Sequence, residues 1–366
     1  MRTCTLILTP LTGIHIGTGV SIGPGEYTIA ESQQKNPVFL RIDEDRVVES
    51  LQGDDKRIFT KYLDKDDYLA LRRFFSEQTS RNFSLALYGG QTTTGFKSFF
   101  KENIRNDNKL LVMEAYRPIG SKRPFIPGSS VKGAIRTAIL DEAIHNRPGG
   151  TGDFSFIASQ VRGRDNRFQE AVLRYSNAKD DPFRTLRVSD GRVDGKKVLL
   201  VGPLVNVSTQ GMRLGMEPKG MHMAAEVISG KLLGGDGEAR LVLSFHQDLP
   251  RTDNFKGIRA FKAEELIKAC NNFYLAAWAN EYARFYEDDQ GSRTVAGELN
   301  ELIKDIRPEK NEFLLRIGRF SQVECVTVND LRRPWNKRGY GQSRTVFDRD
   351  GVLVPLGWTK ARIEED

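Results

Sequence analysis

Residues 126–140 constrain the fold of this chain more than any other stretch, because a glycine-serine turn runs there directly into an amphipathic helix. The segment reads Ile-Pro-Gly-Ser-Ser-Val-Lys-Gly-Ala-Ile-Arg-Thr-Ala-Ile-Leu. Its apolar residues recur at the spacing of one buried helical stripe, which comprises Val131, Ala134, Ile135, Ala138 and Ile139. Lys132 and Arg136 are four residues apart and share a different face. The pattern predicts a helix that packs on one side and carries cations on another.

The start of this helix is expected to bind anions. A helix leaves the backbone N–H groups of its first turn unpaired and carries partial positive charge there. Gly128 would let a ligand approach the backbone, and Ser129 or Ser130 can cap the helix. A simpler interpretation, a capped amphipathic helix with two solvated cations, stays open. The residue order is not that of a Walker loop, so nucleotide hydrolysis gains no support.

Composition narrows the function classes. A length of 366 residues predicts two domains, and a formal charge of +7 favours a polyanionic partner without requiring one. Cys4, Cys270 and Cys325 are far apart and odd in number, so neither a disulfide framework nor a metal site is expected, and no cofactor is indicated. No apolar run approaches the ~18 residues that span a bilayer. We therefore expect a cytoplasmic protein without a membrane partner.

Strands and helices recur in both halves of the chain. In the first half we expect strands at 2–9, 27–29, 38–42 and 110–116, short helices within 44–78 and little regular structure at 89–108. The second half predicts strands at 185–190, 198–207, 221–228 and 238–245, a long helix at 262–286, and strand fragments from 312 onward. The glycine- and arginine-rich stretch 146–184 suggests a boundary. The predicted fold is α+β, with two ferredoxin-like domains at 1–150 and 151–366, the second starting with a basic mobile segment.

Five segments, spread in order along nearly the whole chain, carry a family resemblance. They are Ile14–Gly19, Pro127–Arg136, Leu186–Asp190, Phe313–Phe320 and Pro355–Trp358. Together they resemble the RAMP superfamily of CRISPR systems, and their order and length are most like the fifth subunit of the type III-A Csm effector complex. The resemblance implies two RRM-like RAMP domains with glycine-rich loops and helical insertions.

The same resemblance implies a function in antiviral defence. The glycine loops would bind the crRNA backbone and cap its 3′ end, next to the backbone RAMP subunit and the small subunit of the complex. Maturation of the crRNA 3′ end would proceed through recruited host nucleases. The RNP1 aromatic pattern of a base-stacking RRM is absent, which agrees with sequence-tolerant backbone binding. The residues expected to contact RNA are His15, Gly17, Gly19, Gly128, Ser129, Ser130, Lys132, Arg136, Arg316 and Arg319.

The basic groups at 162–174 and 316–349 each have two interpretations. Singly, their arginines are solvated surface residues, whereas as groups they favour an RNA contact. The interleaved aromatic residues would either stack on bases or lie in the core; they are Phe320, Trp335, Tyr340 and Trp358.

Two residues raise the alternative of catalysis. His15 could act as the general base of a metal-independent endoribonuclease, since related CRISPR processing enzymes use an N-terminal histidine. An RNA contact, or a hydrogen bond that closes the loop, is the favoured interpretation. Glu26 stands near the place where sister backbone subunits carry a target-cleaving aspartate, but a capping or solvated carboxylate is favoured. His222 with Glu226, and the isolated His145 and His246, form no metal-binding pattern. We therefore expect a non-catalytic RNA-binding subunit, with a pure protein adaptor as a further alternative.

Overall fold

The computed structural model describes residues 2–146, 167–209, 223–248, 250, 258–287, 290–329 and 341–365. The strands in these ranges are β1 Arg2–Pro10, β2 Gly17–Ile22, β3 Tyr27–Glu31, β4 Pro37–Ile42, β5 Ala86–Thr92, β6 Val112–Ala115, β7 Phe125–Ile126, β8 Leu186–Val188, β9 Gly191–Asp194, β10 Leu199–Ser208, β11 Met223–Ile228, β12 Glu238–Phe245, β13 Glu312–Arg316, β14 Ser343–Arg349, β15 Val352–Val354 and β16 Trp358–Glu365. The helices are α1 Glu44–Ser50, α2 Gly53–Leu63, α3 Tyr68–Arg81, α4 Thr94–Glu102, α5 Gly128–His145, α6 Arg167–Leu173, α7 Ala263–Phe285, α8 Gln290–Lys304 and α9 Gln322–Val326. The expected α+β class is confirmed.

The first sheet has the strand order β13-β16-β1-β12-β9-β7, with β8 also paired to β12. Strand β1 lies at its centre, antiparallel to both β12 and β16. Leu6 and Leu8 of β1 are buried in the same core as Ile135 of α5 and Phe273 of α7. The two long helices therefore form one layer and this sheet the other.

The second sheet has the order β2-β6-β11-β10-β5-β4-β3, and β14 pairs with both β10 and β15. Its core is aromatic on one side: the rings of Tyr27 and Phe39 stack at 5.1 Å, and Phe100 lies 5.2 Å from Tyr27. Helices α1–α3 lie beside the β3–β4 end. Strand β2 forms the opposite edge of the sheet, and its residues 17–21 are exposed.

Both sheets combine strands from the two halves of the chain. Within the described ranges, strand β1 pairs with β12 and β16, both beyond residue 237, and β6 pairs with β11. The expected division at 1–150 and 151–366 is therefore not reflected in the sheets, and residue 150 itself lies outside the described residues. Strand pairing depends on spatial adjacency, so a change of composition along the chain does not locate a boundary between sheets.

Three local expectations need correction. The stretch 89–108 contains part of β5 and the helix α4, whose Thr93 side chain accepts a hydrogen bond from the Phe96 N–H. Helix α8 is an addition to the predicted elements. The apolar spacing of 262–286 predicts a buried stripe that includes Ala276, but in α7 Ala276 is exposed and the buried residues include Cys270, Tyr274 and Trp278. Within the described part of the chain, no helix is both long and apolar enough to cross a bilayer.

Candidate nucleic-acid interface

Three of the five sequence motifs pack together through their backbones. The Gly357 N–H donates to the Gly13 carbonyl oxygen at 2.8 Å, and the Arg319 N–H donates to the His15 carbonyl oxygen at 2.9 Å. A Cβ on Gly318 would lie 2.7 Å from that same His15 oxygen, so glycine is required for this approach. We call residues 13–19, 316–320 and 355–358 the glycine junction.

The exposed part of the glycine junction is a bulge in strand β2. The pairing with β6 shifts register between Gly17 and Ser21, so residues 18–20 leave the regular ladder. Gly19 has φ +88°, and open space surrounds the position of a Cβ there. The Arg319 side chain is exposed at the same junction. Gly17, Gly19 and Arg319, three of the residues expected to contact RNA, are therefore all exposed in the glycine junction.

His15 lies behind this bulge and is only 2% exposed. Its Nδ1 is 2.8 Å from the Glu226 carbonyl oxygen, and its ring lies 5.8 Å from that of Phe320. Burial lowers the pKa of the imidazole; the hydrogen bond to Glu226 acts in the opposite direction, and Arg319 lowers the pKa further. The imidazole is therefore held neutral, and its hydrogen bond to Glu226 ties the loop before β2 to strand β11. It offers no exposed face to an RNA hydroxyl, so the geometry does not favour the general-base alternative.

Glu26 has the contacts of a capping carboxylate. Its side chain accepts hydrogen bonds from the Gly23 N–H and, at 2.6 Å, from Arg41 Nη2. The Arg41 guanidinium also donates to the Glu26 carbonyl oxygen at 2.7 Å. The carboxylate therefore stabilises its own turn and the β3–β4 pair.

The start of α5 is capped from another part of the chain. Neither Ser129 nor Ser130 caps the helix, contrary to expectation, because the helix already begins at Gly128. The Gly128 N–H donates to Asp190 Oδ1 at 2.8 Å. A Cβ on Gly128 would collide with the carbonyl oxygens of Val188 and Ser189. Gly128 therefore serves close packing against the β8–β9 turn, while Ser129 remains exposed.

The two cations of α5 have different surroundings. Arg136 donates to Gln169 Oε1 at 2.6 Å and to Asp181 Oδ2 at 2.9 Å, and it lies 4.6 Å from the centre of the Phe183 ring. These contacts hold α5 against residues 169–183. Lys132 is half-buried; burial lowers its pKa, against an opposing effect of Asp181. Both side chains are partly exposed, and of the two, Lys132 is the one without a hydrogen bond or ion pair within the described chain.

Arg316 lies in the core, contrary to the expected RNA contact. Its guanidinium pairs with Glu281, donates from Nε to the Leu356 carbonyl oxygen at 3.0 Å, and lies 4.8 Å from the Trp358 ring centre. Arg344 donates to Glu281 at 3.1 Å as well. Burial raises the pKa of Glu281, but the two arginines outweigh it, and the net direction is downward. Trp358 is fully buried, which settles the core interpretation for this residue.

Several basic and aromatic residues from the sequence analysis lie outside the described ranges: Arg162, Arg164, His222, Arg332, Arg333, Trp335, Lys337, Arg338 and Tyr340. Among the described residues, no group of three His, Cys, Asp or Glu side chains could hold a metal ion.

Sequence reasoning did not predict the roles of three acidic residues. Asp190 caps α5, Glu226 pairs with a buried arginine, and Glu281 pairs with Arg316 and Arg344. A single carboxylate in the apolar strand Met-Ala-Ala-Glu-Val-Ile was a signal for Glu226, because a charge in such a strand requires a buried partner. That partner is Arg117, whose Nη1 is 2.6 Å from Glu226 Oε2.

Comparisons with known proteins identify the family of the chain. The family model described as the RAMP superfamily matches residues 7–342. A Streptococcus thermophilus protein described as CRISPR system Cms protein Csm5 is 27% identical over 215 residues, and the match covers 55% of this chain and 55% of that protein.

Two solved structures share the fold. One is a chain of a cryo-EM structure of a Csm-crRNA-target RNA ternary complex of a type III-A CRISPR-Cas system, with a TM-score of 0.60 and 18% identity over 99% of this chain and 100% of that one. The other is the crystal structure of T. onnurineus Csm5, with a TM-score of 0.57 and 16% identity over 98% of this chain and 100% of that one. Since the family model spans most of the sequence, the chain belongs to the RAMP superfamily, and it is similar to Csm5 proteins.

Proposed function

We propose that this chain is a non-catalytic crRNA-binding subunit of a type III-A Csm complex. It caps the crRNA 3′ end and supports 3′ maturation in antiviral defence. The observation that carries the proposal is the glycine junction, where the exposed bulge Gly17–Val20 and the Arg319 side chain face solvent together. In this proposal the chain comprises two ferredoxin-like RAMP units. Its neighbours are the backbone RAMP subunit and the small subunit, and host nucleases trim the guide in the cytoplasm.

The chemistry suits a ribose-phosphate strand. Backbone N–H groups at glycine bends donate to phosphate oxygens without a Cβ in the way, and exposed cations add charge. The exposed Ser129 and half-exposed Lys132 supply a second contact near the start of α5. Because such contacts position RNA without reading bases, binding tolerates any sequence.

The relatives support the assignment by what their names state. One is a Csm5 protein of a CRISPR system, and another belongs to a complex of Csm, crRNA and target RNA. The endoribonuclease alternative through His15 has the weaker support, because that imidazole is buried and held neutral. Incubation with repeat-containing RNA tests this alternative: specific cleavage that disappears in His15→Ala would contradict a binding-only role.

The main test measures RNA affinity of the full chain at several salt concentrations. Lys132→Glu and Arg319→Glu should each weaken binding to single-stranded RNA of any sequence, and each should flatten the salt slope by about 0.7 for every phosphate that the side chain neutralises. The control is Lys310→Glu. Lys310 is an exposed lysine that precedes the start of β13, whereas Arg319 follows the end of that strand. Equal affinities for all three variants and the wild type would reject the proposal and favour a protein adaptor.

A further inference from the structure

Strand β6 places a carboxylate, that of Glu114, directly beside the β2 bulge. Gly17 at the start of the bulge pairs with Ala115, the residue that follows Glu114. The Thr18 hydroxyl donates a hydrogen bond to Glu114 Oε2 at 3.2 Å. A carboxylate repels phosphate groups, so at this place it opposes the phosphate binding that we assign to the glycine junction.

The Glu114 carboxylate is partly exposed and lacks a counter-charge. Within the described part of the chain it has no ion-pair partner. Glu226 on the neighbouring strand β11 differs, because it is fully buried and pairs with Arg117. An ionised carboxylate has about four acceptor positions, and Thr18 occupies one of them. Glu114 therefore keeps the capacity to accept hydrogen bonds from a ligand.

The Thr18 hydroxyl fixes this carboxylate relative to the bulge. Besides donating to Glu114, the hydroxyl accepts a hydrogen bond from the Val20 N–H at 3.1 Å. Between these two residues, Gly19 has an exposed backbone and open space at the position of a Cβ. The Arg319 side chain is exposed in the same junction. An acceptor, an exposed glycine backbone and a cation thus belong to one exposed surface.

We propose that Glu114 accepts a hydrogen bond from a ribose 2′-hydroxyl, so that the site binds RNA in preference to DNA. This inference rests on the proposed function, because it concerns the sugar of the same strand whose phosphates the glycine junction binds. In RNA each 2′-hydroxyl lies next to a phosphate, so a surface that binds the backbone meets both groups.

The chemistry of the carboxylate favours the sugar over the phosphate. An ionised carboxylate only accepts hydrogen bonds, whereas a hydroxyl donates one and a phosphate diester has none to donate. The 2′-hydroxyl is the group by which proteins distinguish RNA from DNA. In dinucleotide-binding folds an acidic side chain accepts a hydrogen bond from the same ribose group. A carboxylate that is a liability for phosphate alone is therefore suited to a ribose-phosphate strand.

The test compares three single strands of one sequence that differ in their sugars: RNA, DNA with deoxyuridine in place of thymidine, and 2′-fluoro RNA, which keeps the RNA sugar conformation but has no hydroxyl. Fluorescence anisotropy at constant salt gives the affinity of the full chain for each strand. The wild type should bind RNA about tenfold more tightly than either analogue, as one hydrogen bond to a charged acceptor predicts. Glu114→Ala should abolish this preference. The ratio of affinities is the readout, because the loss of a negative charge strengthens phosphate binding for all three strands.

Two further variants make the comparison specific. Glu114→Gln keeps a side-chain oxygen that accepts hydrogen bonds, so it should retain part of the preference for RNA. The control is Glu49→Ala, at an exposed glutamate of α1 beside the opposite end of the second sheet, and it should leave the preference unchanged.

Equal binding of the three strands by the wild type, or an equal gain for all three in Glu114→Ala, would overturn the inference, since Glu114 would then only repel phosphates. Repetition with a second sequence separates sugar from base. If the effect of Glu114→Ala follows the bases, the carboxylate binds a base amino group and the inference is wrong. If Lys132→Glu and Arg319→Glu weaken binding while Glu114→Ala keeps the preference, the inference fails and the proposed function stands. A wild-type chain without salt-dependent RNA binding would reject both.

Discussion

At the scale of single residues, burial separates arginines that the sequence presents as equivalent. Arg316 and Arg344 are each 1% exposed at the side chain and share one carboxylate, Glu281. Arg319, three positions after Arg316, is exposed. Arg316 is the last residue of β13, a strand in which every residue is buried, and its guanidinium meets Glu281 of α7, whereas Arg319 lies in the turn that follows the strand. The sequence could predict a cationic segment there, and it could not predict which cation would be free.

Removing the charge of Glu281 should destabilise the protein strongly. In Glu281→Gln two buried guanidinium groups lose their common counter-charge, and breaking a buried ion pair in this way costs about 3–5 kcal/mol of unfolding free energy. Urea denaturation measures the change. Glu298→Gln, at an exposed glutamate of α8, is the matched control and should stay within about 0.5 kcal/mol of the wild type. A loss below about 1 kcal/mol in Glu281→Gln would contradict the role of the network.

His15 should make the protein less stable in mild acid. Its pKa in the fold lies below the ordinary value of 6.5, so the unfolded chain takes up the proton first. The stabilisation is complete above about pH 6.5. Below it, up to about 1.4 kcal/mol is lost per pH unit until the folded imidazole itself protonates.

Urea denaturation at pH 7.5, 6.5 and 5.5 measures this dependence. His15→Gln should lack the part of the slope that is due to His15, so the wild type should lose more stability than the variant between pH 6.5 and 5.5. Identical slopes in the two proteins would show that the imidazole is not held neutral by burial.

At the scale of elements, α5 shows where local pattern is reliable. The stripe Val131, Ala134, Ile135, Ala138 and Ile139 is buried as its spacing predicts, because helical periodicity is a property of the segment itself. The cap is different. Asp190 lies 62 positions from Gly128, in a turn between two strands, so the local sequence offered only the wrong candidates Ser129 and Ser130.

Two glycines of α5 should respond oppositely to the same substitution. Gly128→Ala places a Cβ against the carbonyl oxygens of Val188 and Ser189, which are backbone atoms and cannot move aside cheaply. We expect a loss of about 1–3 kcal/mol or more, as for overpacking in a core. Gly133→Ala meets open space and should gain about 0.5–1 kcal/mol from helix propensity. Thermal unfolding of the two variants measures both changes; equal effects would contradict the packing described for Gly128.

At the scale of the whole molecule, each sheet needs strands from both ends of the chain. Strand β1 has its two neighbours at 238–245 and 358–365. The first sheet is therefore complete only when the C-terminal strand β16 pairs with β1. The same closure brings residues 355–358 against residues 13–15 and assembles the glycine junction. Fold and candidate site therefore depend on the same long-range pairing.

A fragment of residues 1–146 should not fold alone. It would expose both edges of β1 and would lack β10 and β11, which join β5 to β6 in the second sheet. We expect poor dispersion in its NMR spectrum, and co-expression with residues 147–366 should restore a dispersed spectrum and a copurifying pair. A well-folded isolated fragment would instead support the domain division at residue 150.

The sequence by itself determined the α+β class, the long helices α5 and α7, most strands and the family motifs, because these features depend on periodicity and on turn residues that act over a few positions. Only the tertiary structure decided which strands are neighbours, that Asp190 caps α5, that Arg316 is buried and Arg136 is ion-paired, and that Lys132 and Arg319 keep exposed surface without an ion-pair partner among the described residues. The physical reason is that desolvation and ion pairing depend on groups brought close by the fold, and their spacing along the chain does not record that closeness.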